Sequence, residues 1–142
     1  MISESEKKAI LDRISRIPIF GTLDMRVVSL SEGACEVTIP RRLEYDGIYR
    51  SLHGGILVTL ADSVAAFAIL TLTGPDEPVT TTDLNIRYLA PCLTDLTARA
   101  RVIKLGRTLC PVAVDLLDAE GKLVAVSQVT YLRLNHGNKT SG

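Results

Sequence analysis

Apolar residues recur at helical spacing along the first stretch of the chain, where Ile10, Leu11, Ile14 and Ile17 mark a helix over residues 3–16. Ser3 or Ser5 can cap its start, and Pro18 is expected to end it. The period then shortens to two. MRVVSL and ACEVTIP read as the strands of a hairpin over residues 24–40, with Ser31-Glu32-Gly33 as the turn. Residues 41–52 have no clear period and read as a loop. Residues 54–73 predict one long helix, apolar on nearly every face, which has to be surrounded by protein; Gly74-Pro75 stops it. Four strand-like runs follow over 79–90, 96–105, 108–118 and 122–134. Turns are expected at Gly106-Arg107 and from Asp118 to Gly121, and Pro91 breaks the first run. The tail NHGNKTSG reads as polar and frayed.

Strands joined by tight turns pair antiparallel, and a helix that is apolar all round needs a sheet curled about it. The expected fold is therefore α+β: a curled antiparallel sheet wrapped around one long central helix, with an N-terminal helix. Residues 1–142 fit one domain, with a core over about 20–134 and a polar tail over 135–142.

Composition narrows the function classes. Lysine plus arginine total 16, and aspartate plus glutamate total 16. A zero net charge argues against nucleic-acid binding, which needs surplus cations. Three scattered cysteines, Cys35, Cys92 and Cys110, form neither a disulfide framework nor a metal knuckle, and a cytoplasmic location is expected. The N-terminus lacks a signal-peptide core. The longest apolar stretch, Ile56 to Leu72, is shorter than a membrane span and contains Asp62, so no membrane is expected.

The run His53-Gly54-Gly55-Ile56-Leu57-Val58-Thr59-Leu60-Ala61-Asp62 resembles the HGGxxxxLxD signature of the PaaI-like branch of the hotdog-fold thioesterases. The run TTTDLNIRYLAP, Thr80 to Pro91, is similar to the strand that follows the helix in that family, and Val102 to Thr108 to its next hairpin. The resemblance spans roughly residues 20–134. It implies a hotdog fold, no cofactor, hydrolysis of acyl- or aryl-CoA to free acid and coenzyme A, and dimers, often paired into tetramers. It also implies that Asp62 activates water or attacks the carbonyl, that the glycine backbone polarises the thioester oxygen, and that the Thr81 hydroxyl helps hold the attacking water. One departure stands out. Many relatives carry an asparagine six residues before the histidine; here that position is Gly47, beside Asp46, whose charge would repel an oxyanion.

Each candidate has a plain structural reading beside the chemical one. Gly54 and Gly55 begin a long helix, whose first N–H groups are unpaired and face the positive end of its dipole. Gly54 N–H can polarise a carbonyl with Gly55 against the substrate, or the pair only permits a sharp turn. Asp62, inside an apolar helix, must be paired, neutral or open to a cavity. It is either the base or nucleophile or the partner of a strand arginine. Gly55 and Asp62 share a helix face but stand about 10 Å apart along the axis, too far to act on one carbonyl from the same chain. If both act, the site is shared between two chains. His53 either touches substrate or bonds backbone. In strand parity, Thr81 shares a face with Asp83, Asn85 and Arg87. Arg107 and Lys104, at the third hairpin, either grip coenzyme A phosphates or are ordinary solvated charge. Phe67, Leu70 and the loop 41–52 are candidate pocket linings.

Three rival readings compete with a thioesterase. A non-catalytic acyl-CoA-binding module would not need Asp62 at its motif position. A hotdog hydratase or dehydratase would place its histidine and acid differently. A cysteine–histidine pair, Cys92 or Cys110 with His53, has no local support. His53 has no second histidine near it, His136 being in the tail, so no metal is expected.

Overall fold

The computed structural model describes residues 1–134. Helix α1 (Glu4–Ser15) starts where Ser3 accepts a hydrogen bond from the Glu6 N–H at 3.1 Å. It docks on the core through Ile10 and Ile14, both buried. Pro18 does more than end it: it is the first residue of a second short helix, α2 (Pro18–Thr22). A proline there has a suitable φ and lacks an N–H that would be unpaired anyway. Strands β1 (Arg26–Ser31) and β2 (Ala34–Ile39) form the expected hairpin, with Gly33 at φ +75° in the turn. The loop that follows contains one 3₁₀ turn, Leu43–Tyr45, and a bridge between Asp46 and Leu52.

The long helix, α3, spans Gly54–Thr73. With 20 residues and a mean hydropathy of 2.0, it could cross a membrane by length and composition, contrary to expectation. In this fold it is the core helix. Strands β3 (Val79–Tyr88), β4 (Leu96–Val102), β5 (Leu109–Leu117) and β6 (Leu123–Arg133) complete one sheet of order β1-β2-β4-β5-β6-β3. Every neighbouring pair is antiparallel. Alternate residues of β2, β4 and β5, such as Val37, Ala98 and Val114, point inward and are buried with Leu60, Val64 and Ile69 of α3. This is the curled sheet about a central helix that the hotdog resemblance implies.

Two features depart from the expected enclosure. The sheet covers only one side of α3: Gly55 is exposed, and Val58, Thr59, Asp62, Ser63 and Ala66 are half-buried. Strand β3, at the end of the sheet, pairs only with β6 and is exposed along most of its length. An apolar helix can thus be wrapped on one side and still leave a stripe for something else to cover.

Candidate active site

His53 is the N-cap of α3. Its Nδ1 accepts a hydrogen bond from the Gly55 N–H at 2.8 Å, so that nitrogen carries no proton here. Of the two glycine N–H groups, Gly55's is committed to His53. Gly54's has no partner among the described residues and sits at the positive end of the helix. The Gly54 carbonyl accepts from the Tyr88 hydroxyl at 2.7 Å. A Cβ on Gly54 would lie 3.0 Å from that hydroxyl oxygen, and one on Gly55 3.0 Å from His53 Nδ1. A side chain at either position would need Tyr88 or His53 to shift by a few tenths of an ångström, so tight packing favours glycine at both, whatever their chemistry.

The loop before His53 is cross-linked. Arg41 binds Asp46 through three hydrogen bonds of 2.6–3.1 Å and also donates to the Leu93 and Arg50 carbonyls. Its backbone N–H reaches Asp95. His53 N–H donates to the Tyr45 carbonyl, and Leu52 N–H to that of Cys92. Asp46 is thus an anchor of this loop. A Cβ on Gly47 would make ordinary contacts, the nearest 3.6 Å from His53 Cα.

Asp62 is half-buried two turns along α3, and its partners are hydroxyls, not an arginine. Its Oδ1 accepts from Thr81 at 2.7 Å and from Tyr131 at 2.9 Å. The Tyr131 hydroxyl is also 2.8 Å from the Asp62 backbone carbonyl. Asp62 Oδ2 has no partner among the described residues. Burial, and with it the nearby Asp62 charge, pushes the Tyr131 phenol well above the ordinary tyrosine range, while the Thr81 hydroxyl works against that. The phenol accordingly stays a donor.

The strand parity expected for Thr81 does not hold. Thr81 pairs with Tyr131 and Asp83 with Thr130, so Thr82 is an extra residue in a β-bulge. Beyond it the faces exchange. Thr81 turns to the helix along with Leu84 and Ile86, while Asp83, Asn85 and Arg87 are exposed.

Asp62 and Thr81 are therefore brought together, and His53, Gly54 and Gly55 form a second group at the start of the same helix. Eight residues of α3 separate Gly54 from Asp62, about 12 Å along the axis. Arg107 and Lys104 lie apart from both, exposed in the loop between β4 and β5 and without a hydrogen bond or ion pair among the described residues. A cleft of about 440 Å³ opens beside Thr81 and Tyr131; Phe67 and Leu70 are in its lining, and the loop 41–52 is not. Cys92 and Cys110 are buried and burial raises both thiol pKa values, so neither is a ready thiolate for His53. His136 and the tail lie outside the described residues.

Tyr131, Tyr88 and Arg41 were not singled out from the sequence. A faint signal exists for Tyr131, a tyrosine that alternates with Val129 on the inward face of β6, where its hydroxyl needs a partner. The other two carry none, because their partners are backbone atoms and loop residues that only the fold brings near.

The model of the family described as Thioesterase superfamily matches residues 49–125. Acyl-coenzyme A thioesterase 13 of Homo sapiens is 31% identical over 115 residues, covering 79% of this chain and 80% of that protein. A thioesterase family protein from Silicibacter pomeroyi superposes with a TM-score of 0.84 at 26% identity, over 91% of this chain and 98% of that one. A variant of the phenylacetic acid degradation protein PaaI from Thermus thermophilus gives 0.76 at 30% identity, over 83% and 100%.

Proposed function

Since the chain belongs to the thioesterase superfamily and is a thioester hydrolase of the PaaI-like, hotdog-fold kind, we propose that its substrate is the coenzyme A thioester of an acyl or aryl acid, cleaved to the free acid and coenzyme A. The observation that carries this reading is the state of Asp62: two hydroxyls hold one carboxylate oxygen and leave the other unengaged, on the open side of α3. A carboxylate oriented in this way is suited to general-base work. Asp62 Oδ2 takes a proton from water as the water oxygen attacks the thioester carbon. The carbonyl electrons move onto oxygen, where the Gly54 N–H stabilises them. Collapse expels the coenzyme A thiolate, which takes up the proton from Asp62. Thr81, donating to Asp62, keeps lone pairs with which to hold the water. His53 acts by capping the helix and holding the Gly54–Gly55 turn.

The separation of about 12 Å between Gly54 and Asp62 favours a site shared by two chains. The unpaired edge of β3 and the uncovered stripe of α3 fit such a dimer. Arg107 and Lys104 are the cations assigned to the coenzyme A phosphates. Three unpaired cysteines suit a reducing, cytoplasmic compartment. The direct test is free-thiol release from a panel of acyl-CoAs. Turnover lost in a folded Asp62→Asn variant is expected; a panel left uncleaved by the native protein would overturn the proposal.

A further inference from the structure

We propose that the cleft between α1, the second half of α3 and the start of β3 receives the acyl group, and that the N-terminal segment sets the size of that group. This rests on the reading of Asp62 as the reaction centre. The segment lies outside the residues, 49–125, that match the family model.

The inner end of the cleft meets the chemistry directly. Thr81 and Tyr131 line it, and both donate to Asp62. Ala66, also in its lining, stands four residues after Asp62 and hence on the same helix face, one turn along. An acyl chain leaving a carbonyl at Asp62 in that direction enters the cleft. Ile17, Phe67, Leu70 and Val79 supply apolar wall, beside polar surface from Thr80, Thr81 and Tyr131. Charge is confined to Arg13 and Glu77, and Arg133 clasps Glu77 with two hydrogen bonds of 2.8 Å. The volume, about 440 Å³, is in the range of small-molecule sites. This combination fits an apolar acyl or aryl group of medium size, such as octanoyl or phenylacetyl.

The N-terminal segment is a fixed wall. Ile14 is fully buried, and Ile17 follows directly on that anchor, its N–H donating to the Ile14 carbonyl at 3.0 Å. Phe20 packs edge-on against Phe67 with ring centroids 6.4 Å apart, bracing the opposite wall. Ile17 is thus held where its bulk trims the space, and Ala66 is the position at which added bulk would narrow it from the helix side.

The test compares kcat/KM for octanoyl-CoA, phenylacetyl-CoA and acetyl-CoA. In both Ile17→Trp and Ala66→Leu the octanoyl-to-acetyl ratio is expected to fall on the order of tenfold, the discrimination that pocket-size changes produce. In Ile17→Ala it is expected to rise. Melting temperatures verify that each variant is folded. Binding of the S-octanyl thioether of coenzyme A, measured by calorimetry, gives a readout that needs no catalysis; Ile17→Trp should weaken it relative to coenzyme A alone. Unchanged ratios in folded Ile17→Trp and Ala66→Leu, with unchanged thioether binding, would overturn the acyl cleft even if Asp62→Asn is inactive. Loss of thioether binding in a protein that cleaves no thioester would sustain the cleft and sink the hydrolytic role of Asp62.

Discussion

The two ends of the candidate site lie on one helix and are built in opposite ways. At the start of α3, His53, Gly54 and Gly55 are shaped mainly by near neighbours: His53 caps the residue two places on and Arg41 bonds Asp46 in the loop before it, with Tyr88, 34 residues on, adding a distant bond to the Gly54 carbonyl. At Asp62 the partners are 19 and 69 residues away, on β3 and β6. A donor made of backbone N–H needs only the correct local turn. A carboxylate in an apolar helix needs polar partners, and no side chain of its own helix bonds it here; Thr59, three residues before it, turns to the Gly55 carbonyl. The glycine end is therefore a motif, while the aspartate end is a product of strand register.

The sharpest way to break this comparison is Asp62→Asn. The amide keeps the shape but cannot act as a base, so kcat for thiol release should fall at least ~10²-fold while the melting temperature holds. Near-native kcat would remove the aspartate end from the chemistry.

The two ends can next be separated onto different chains. Asp62→Asn and Gly54→Pro are each expected to be inactive; proline lacks the donor N–H, and the first position of a helix tolerates it. Co-refolded in equal amounts with random pairing, half the dimers are mixed and each mixed dimer regains one intact site of two. About a quarter of native activity should then return. Circular dichroism and sizing establish that Gly54→Pro folds and dimerises. No recovery with chain exchange demonstrated would place both ends of each site on one chain.

Tyr131→Phe removes one of the two hydroxyls on Asp62 Oδ1 and keeps the ring. A hydrogen bond to a charged group contributes about 1.5–3 kcal/mol, so kcat should fall by on the order of tenfold. The pH profile adds a sign. Because the folded phenol titrates above the ordinary value of 10.0, its contribution to stability is complete below that pH and is lost as pH rises past it. Tyr131→Phe should therefore flatten the alkaline loss of stability in urea titrations; an unchanged alkaline limb would assign that loss elsewhere.

Arg41→Ala tests the glycine end. It strands the Asp46 carboxylate, whose side chain is 13% exposed, and should lower unfolding stability by about 2 kcal/mol. The smallest effect is expected from Arg107→Ala: a few-fold rise in KM for coenzyme A thioesters, and none for a truncated thioester lacking the nucleotide. Equal losses on both substrates would make Arg107 a support of the fold.

Much of the architecture was legible from the chain alone. The bounds of α3, Gly54–Thr73, match the expected 54–73 because its signals are local: two glycines at the start, a largely apolar run and Gly74-Pro75 at the end. The order of helices and strands followed from periodicity in the same way. The face that Thr81 presents did not. Period-two reading assumes an uninterrupted ladder, and the bulge at Thr82 shifts the faces by one residue. The second role of Pro18, the uncovered stripe of α3 and the partnership of Asp62 with Tyr131 were equally out of reach. Caps, periods and turns are decided within a few residues, and the sequence alone determined them here. Which strands pair, in what register, and which hydroxyls reach a lone carboxylate depend on residues up to 69 positions apart, and only the tertiary structure decided those.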